Sequence, residues 1–256
     1  MTGRVWTRRQ MLLYGSSAFG GVLLAGCDRL SNSPTFRRML ESAESLSYHG
    51  QRLLVGNRAL AREYRRTDLS PIFRSNGTSA PDTPAYNALL ADGFRQWRLR
   101  VDGAVSRPQT LSLDDLRAMP ARVQITRHDC VEGWSAIGQW KGVPLSVVLD
   151  KAGVGPTARY VVFHCADFLG GLDGPYYESV DFIDAYHPQT ILAYELNGQT
   201  LPVANGAPLR LRVERQLGYK HAKYLMRLEI VEHLDHIGAG KGGFWEDQGY
   251  AWYAGI

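Results

Sequence analysis

Apolar and polar side chains alternate over Trp97-Arg98-Leu99-Arg100-Val101, a period of two that predicts a half-buried strand, and Asp102-Gly103 reads as the turn that ends it. Ser112-Leu113-Asp114-Asp115 has the form of a capping box and predicts a short helix stopped at Pro120. From Pro144 the period lengthens: Leu145, Val148, Leu149 and Ala152 fall on one face of a helix that Gly153 terminates. Ile191 to Leu196 and Gln199 to Val203, joined by Asn197-Gly198, read as a hairpin. Val123 to Arg127, Tyr160 to Cys165, Leu209 to Val213 and Tyr224 to Val231 are further strands. Helices and strands mix without a regular strand-helix-strand alternation, which predicts an α+β fold with a β-rich core and short helices.

The first residues follow a different pattern. Arg4 and Thr7-Arg8-Arg9-Gln10 precede an apolar run ending at Leu24-Ala25-Gly26-Cys27, which reads as a twin-arginine signal followed by a lipobox. Met11 to Gly26 is 16 residues with several Gly and Ser, short of the roughly 20 apolar residues of a spanning helix. The expectation is therefore cleavage after residue 26 and lipidation of Cys27, on the periplasmic face of the cell envelope. Residues 27–70 read as a tether through Ser31-Asn32-Ser33-Pro34 followed by an amphipathic arm with Leu53, Leu54, Leu60, Tyr64 and several arginines, and 71–256 as the main domain.

Cleavage changes the charge balance. Of 29 Lys and Arg, three precede Cys27, where there is no acid, so the mature chain would hold 26 basic and 25 acidic groups, a net of +1. The remaining charges are interspersed rather than gathered in a stripe, which argues against a nucleic-acid partner.

The chemistry concentrates at His128-Asp129-Cys130-Val131-Glu132-Gly133-Trp134-Ser135, a thiol in a polar loop after a strand. Cysteine binds soft metals as the thiolate, and Arg127, His128 and the strand-end position all suit that form. Once Cys27 is lipidated, Cys130 and Cys165 are the two thiols left. In an oxidising compartment they could instead form a disulfide worth about 3 to 4 kcal/mol in the chain-entropy model, which would leave a non-catalytic envelope lipoprotein as the alternative. The seven histidines show no zinc spacing, and neither C-x-x-C nor C-x-x-C-H occurs.

The C-V-E-x-W loop around Cys130 resembles that of the sulfite oxidase family, above all its bacterial periplasmic methionine sulfoxide reductase branch. A second block, Asn205-Gly206-Ala207-Pro208-Leu209-Arg210-Leu211 followed by Gly218-Tyr219-Lys220-His221-Ala222-Lys223, is similar to that branch's N-G-A-P-x-R-L…G-x-K-x-x-K segment. The resemblance runs from about Arg74 to about Glu232 and implies a sulfite-oxidase-type molybdopterin-binding domain. It implies that Cys130 ligates molybdenum and that Arg210, Lys223, Asn205, His221 and Ala222 hold the pterin. Asn76 sits where the family has an asparagine-bearing pterin loop, without that loop's N-x-x-Y-E pattern. His128 and His164 are further candidate contacts to the cofactor, and Arg127 is the candidate contact to substrate.

On strand-like Leu209-Arg210-Leu211-Arg212-Val213, alternation should bury the leucines and valine and turn both arginines to a face that meets an anion. The function that follows is molybdenum-cofactor-dependent oxygen-atom transfer to or from a small sulfur- or nitrogen-containing substrate, with sulfite dehydrogenation as the alternative. No Fe-S cysteine set, haem motif or G-x-G-x-x-G loop is present, so electrons must come from another molecule. A membrane haem protein or cytochrome fits a lipid-anchored enzyme.

Overall fold

The computed structural model describes residues 33–169 and 174–256. The expectations for the leader and for Cys27 lie outside the described residues. Two units divide the chain at Leu54 and Val55. The first holds all but the last residue of helix α1 (Pro34–Val55), which starts earlier than the sequence pattern implied. Pro34 belongs to the helix rather than to a tether, because proline is pre-organised for a first helical turn. After Gly56, in the left-handed region, residues 57–70 run mainly extended.

The second unit is built on two five-stranded sheets. One contains β1 (Leu99–Gly103), β2 (Gln109–Leu111), β5 (Tyr160–Cys165), β6 (Tyr177–Asp181) and β10 (Leu225–Val231), in the order β2-β1-β10-β5-β6. Its β1/β10 pair is parallel and the others are antiparallel. The other sheet contains β3 (Arg122–Cys130), β4 (Trp134–Pro144), β7 (Ile191–Leu196), β8 (Gln199–Thr200) and β9 (Arg210–Arg212), all antiparallel. Short helices cover them: α2 (Pro84–Ala91), α3 (Leu113–Ala118), α4 (Leu145–Ala152), α5 (Phe182–Ala185) and α6 (Phe244–Asp247). The arrangement is α+β, as the mixed pattern required.

One apolar cluster joins both sheets: Leu99, Val101, Phe163 and Leu228 from the first, Val143, Leu192 and Leu211 from the second, with Leu145, Val148 and Leu149 of α4. The second sheet is also covered on its other face, where Trp140, Ile191, Ala193 and Leu196 pack with Phe73. This is why Ile191-Leu192-Ala193-Tyr194 is apolar without alternation: both faces are removed from water.

Several expectations hold in detail. Ser112 and Asp115 form the reciprocal capping box at α3, Gly153 ends α4 at φ 67°, and Asn197-Gly198 turns β7 into β8 with both residues at positive φ. Others shift. Asp102-Gly103 is no turn but the end of β1, hydrogen-bonded beside β10, and only Gln199–Thr200 of the expected second hairpin arm is strand. His128, Asp129 and Cys130 complete β3 instead of forming a loop, because β4 pairs with them to the last residue. The extended arm belongs to the second unit: Tyr64 N donates to Ile125 O at 2.8 Å, and buried Arg215, His187 and Gln189 bind the carbonyls of Gly56, Ala59 and Ala61.

Gly142 sits at the irregularity between β4 and β7, where an added Cβ would lie 2.1 Å from Leu192 O and 2.6 Å from Ala193 Cα. Gly142→Ala should lower the urea unfolding midpoint by the equivalent of about 1–3 kcal/mol. Gly50→Ala on α1, with nothing within 4 Å of the new methyl, should not lower it. An unchanged midpoint for Gly142→Ala would contradict the close approach of the two strands.

Candidate active site

The β3/β4 hairpin presents the thiol. Cys130 pairs with Trp134 at its tip, and Gly133, at φ 84°, lets the chain reverse within three residues. Glu132 fixes the tip from both sides, accepting from Trp134 Nε1 at 2.9 Å and from Gly77 N at 3.4 Å. Asp129 accepts from Ser135 Oγ across the hairpin and from Arg127 Nε at 2.9 Å. Cys130 is half-buried, and burial pushes its thiol above the ordinary range. The cations expected to favour its thiolate do not do so: Arg127 is turned to Asp129, and His128 is buried and held uncharged. A metal cation would have to supply that stabilisation.

Cys130 opens into a cavity of about 220 Å³, with Asn76, Asp167, His221 and Lys223 in its wall and Tyr176, Tyr219, Trp245 and Tyr250 among its aromatic lining. Lys223 organises one side. Its buried ammonium donates to Asn76 O at 2.6 Å, to Thr78 O and to Ala204 O at 3.2 Å, joining loop 75–78 to loop 203–205. Burial and the neighbouring Arg210 lower its pKa to about 7. Gly206, at φ 108°, permits this crowding, since a Cβ there would meet Lys223 Cβ at 2.9 Å and Arg210 Cβ at 3.2 Å.

Behind the wall lies concentrated positive charge. Arg212 makes a bidentate pair with Glu214 at 2.9 and 2.6 Å and donates to His128 Nδ1 at 2.9 Å. Arg210 has no carboxylate within ion-pair distance among the described residues. It donates to the carbonyls of Asn205 and His221, stacks over Trp140 at 5.0 Å, and burial lowers its pKa to about 9. Both arginines, expected on a face that meets an anion, are fully buried, because the second sheet is packed on both sides.

The two histidines have defined tautomers. His221 Nε2 faces Gln216 O at 3.0 Å and must carry the proton, while His128 Nδ1 accepts from Arg212. Among the described residues His221 Nδ1 and His128 Nε2 have no partner, and neither do Asn76 Oδ1, Asn205 Nδ2 or Arg210 Nε. Buried polar atoms are normally satisfied. The tail is anchored beside them by Lys220, whose ammonium lies 2.5 Å from both Glu178 Oε1 and Glu246 Oε1. That ion cluster holds α6 and its rim residue Trp245.

Of the residues singled out from the sequence, Cys130, Asn76, His221 and Lys223 share the cavity wall. His128, Asn205, Arg210 and Ala222 stand behind it. His128 lies 5.0 Å from the His221 ring, and Ala222 O accepts from Leu211 N at 2.8 Å, tying the His221-Lys223 segment to β9. Two are not brought to the cavity. Arg127 is on the exposed flank of β3, and His164 Nε2 lies 2.8 Å from Glu229 on the first sheet. Both cysteines are free, with Cys165 in the apolar core, so the disulfide reading has no support. Thr78, Asp167, Leu169 and Gly218 also line the cavity. For Asp167 the only sequence signal was an acid two residues past the end of an apolar strand.

The sequence falls into a known group. A family model described as the oxidoreductase molybdopterin binding domain matches residues 86–236. The chain belongs to this family. It is 37% identical over 254 residues to a protein of Azospira oryzae with the provisional name protein-methionine-sulfoxide reductase subunit YedZ1, covering 96% of this chain and 87% of that protein. It is 37% identical to the protein-methionine-sulfoxide reductase catalytic subunit MsrP of Ralstonia nicotianae and 36% identical to that of Gluconobacter oxydans, over 62% and 54% of this chain and 50% and 47% of theirs. The chain thus spans about half the length of those two relatives. Among solved structures, the sulfane dehydrogenase SoxCD of Paracoccus pantotrophus is similar, with a TM-score of 0.50 and 25% identity over 54% of this chain and 39% of that one. The protein is therefore a molybdopterin-dependent oxidoreductase of the sulfite oxidase family with this family's fold.

The residues present fit the family's cofactor. Among the described residues no three His, Cys, Asp or Glu side chains gather as a metal-binding group, so a metal at Cys130 would take its other ligands from a non-protein partner such as a dithiolene. The unpartnered donors and acceptors around the cavity suit a polar pterin, and Arg210 and Lys223, without carboxylate partners, suit its phosphate.

Lys223→Met should cut molybdenum and pterin content in the purified protein about tenfold or more, the equivalent of one charge-assisted contact of about 1.5–3 kcal/mol. Lys223→Arg should retain more than Lys223→Met. Full occupancy in Lys223→Met, measured as metal and pterin per chain, would place the anion elsewhere.

Proposed function

We propose that this protein catalyses oxygen-atom transfer from a small sulfoxide or related S-oxide or N-oxide, with Cys130 as the single protein ligand to molybdenum. The observation that carries this reading is the half-buried Cys130 thiol in the wall of a cavity that also contains His221, Lys223 and Asn76. The relatives' names, methionine sulfoxide reductase, favour reduction of the substrate. When bound, the molybdenum pterin supplies a two-electron redox change coupled to oxygen transfer. The chain supplies the rest. Lys223 and Arg210 would balance the phosphate charge, while Asn76, Asn205 and His221 would meet the pterin's polar edges.

Tyr176, Tyr219, Trp245 and Tyr250 give the cavity an aromatic wall that suits a neutral substrate and keeps water from the reacting atoms. Sulfite, a dianion, needs free cationic donors. With Lys223 assigned to the phosphate, the candidate substrate contact is Arg127, which pairs with Asp129 away from the cavity. These contacts favour the sulfoxide reading over sulfite dehydrogenation.

The leader motif supports export and lipid anchoring at Cys27, hence work on the periplasmic face of the membrane with a haem protein or cytochrome as electron donor. No described helix is long and apolar enough to cross a membrane. A lipoprotein anchor would supply the proximity to a membrane donor instead.

Cys130→Ser should abolish turnover and alter the metal's spectrum, whereas Cys165→Ser, in the apolar core, should retain most activity. Equal loss in both variants would sink the ligand assignment. Cys27→Ser behind a cleavable soluble signal should keep turnover with a reduced dye and lose turnover coupled to native membranes. Unchanged membrane-coupled rates at equal enzyme concentration would argue for a diffusible donor.

A further inference from the structure

Asp167 is the ionisable side chain of the cavity that cofactor binding leaves without a task. It follows the end of β5, its backbone carbonyl accepts from Tyr176 N at 2.7 Å, and the residue is 4% exposed while lining the cavity that Cys130 opens into. Thr78 donates to the carboxyl, yet Oδ1 has no partner. Buried polar atoms usually find a partner, so Oδ1 is left able to bond a molecule in the cavity.

Reduction of a sulfoxide consumes protons: one sulfoxide, two protons and two electrons give one sulfide and one water. The S–O bond breaks and two O–H bonds form, with the electrons supplied by a haem protein or a reduced dye. Resting on the sulfoxide reading above, we propose that Asp167 is the catalytic acid that gives one of these two protons to the departing oxygen and is then reprotonated from solvent.

The surroundings suit an acid that holds its proton in mildly acidic solution, above the ordinary carboxylate range. Burial raises the Asp167 pKa to about 6, against the opposing pull of Thr78 and Lys223. The other groups facing it, Tyr86, Tyr224, Tyr176 and Cys165, are neutral and are themselves pushed up in part by its charge. The alternative donors in the wall are less suited. His221 has its one proton committed to Gln216 O, and Glu132 has both carboxylate oxygens engaged. A general acid of this kind contributes about 10² to 10⁴-fold.

The test uses the holoenzyme with dimethyl sulfoxide and methionine sulfoxide as probes and reduced viologen as electron source. Wild-type kcat should fall as pH rises through the Asp167 titration, because only the protonated acid donates. Asp167→Asn, which keeps the size and one acceptor, should bind molybdenum and pterin as the wild type does, lose about a hundredfold in kcat, and lose this pH dependence. Asp167→Glu should recover part of the rate. In protein purified without the cofactor, the infrared carboxyl band that Asp167→Asn removes should titrate near pH 6. Wild-type kcat and pH profile in Asp167→Asn, or a loss of activity explained by lost cofactor, would overturn the assignment. A fully loaded wild-type enzyme that reduces neither sulfoxide would instead overturn the sulfoxide reading.

Discussion

The ammonium of Lys223 binds loops that are otherwise far apart in the chain. Buried, it reaches carbonyls of Asn76, Thr78 and Ala204, so loop 75–78 and loop 203–205 take their places around one cation. A buried lysine is costly unless its donors are satisfied, and the neutral carbonyls satisfy hydrogen bonds without cancelling charge. The positive potential is left for whatever enters the cavity. Arg210 repeats the arrangement one layer deeper, with carbonyl acceptors and the face of Trp140 in place of a carboxylate.

Charge is distributed with purpose elsewhere in the same region. Arg212 is paired with Glu214 and fixes the tautomer of His128, and Lys220 is paired twice to hold the tail. Neutralised pairs make the frame, while Lys223 lines the cavity and Arg210 is buried behind it with no ion-pair partner among the described residues. The thiol of Cys130 is discouraged from ionising by burial, and a thiol is a poorer nucleophile than a thiolate. Arg210, Arg212 and Asn205 lie behind the cavity, and Cys130, Lys223, Asn76 and Asp167 line it.

The sheets explain why this layout is stable. Each strand that carries site residues is pinned on an apolar face or along its length: β9 by Leu211 in the shared core, β3 by its full-length pairing with β4. The loops are then short excursions from rigid elements. Where backbone must approach closely, glycine appears, at Gly206 beside Lys223 and at Gly218 against His128 Nε2.

What the sequence determined by itself was what local chemistry controls. The capping box at Ser112, the face of α4 and the Asn197-Gly198 turn depend on residues within one or two turns of each other. The thiol loop and the Asn205 to Lys223 block were legible because their spacing is specific, and they led to the α+β family fold. Tertiary structure alone decided which of those residues face the cavity. Alternation put Arg210 and Arg212 on the face opposite the leucines, and a second apolar layer with Trp140 and Phe73 buried both. Arg127 and His164 had the right chemistry and the wrong side of their strands, while Asp167, unremarkable in the chain, reached the cavity because β5 ends there. Burial and facing are set by packing between segments remote in sequence, and no local pattern encodes them.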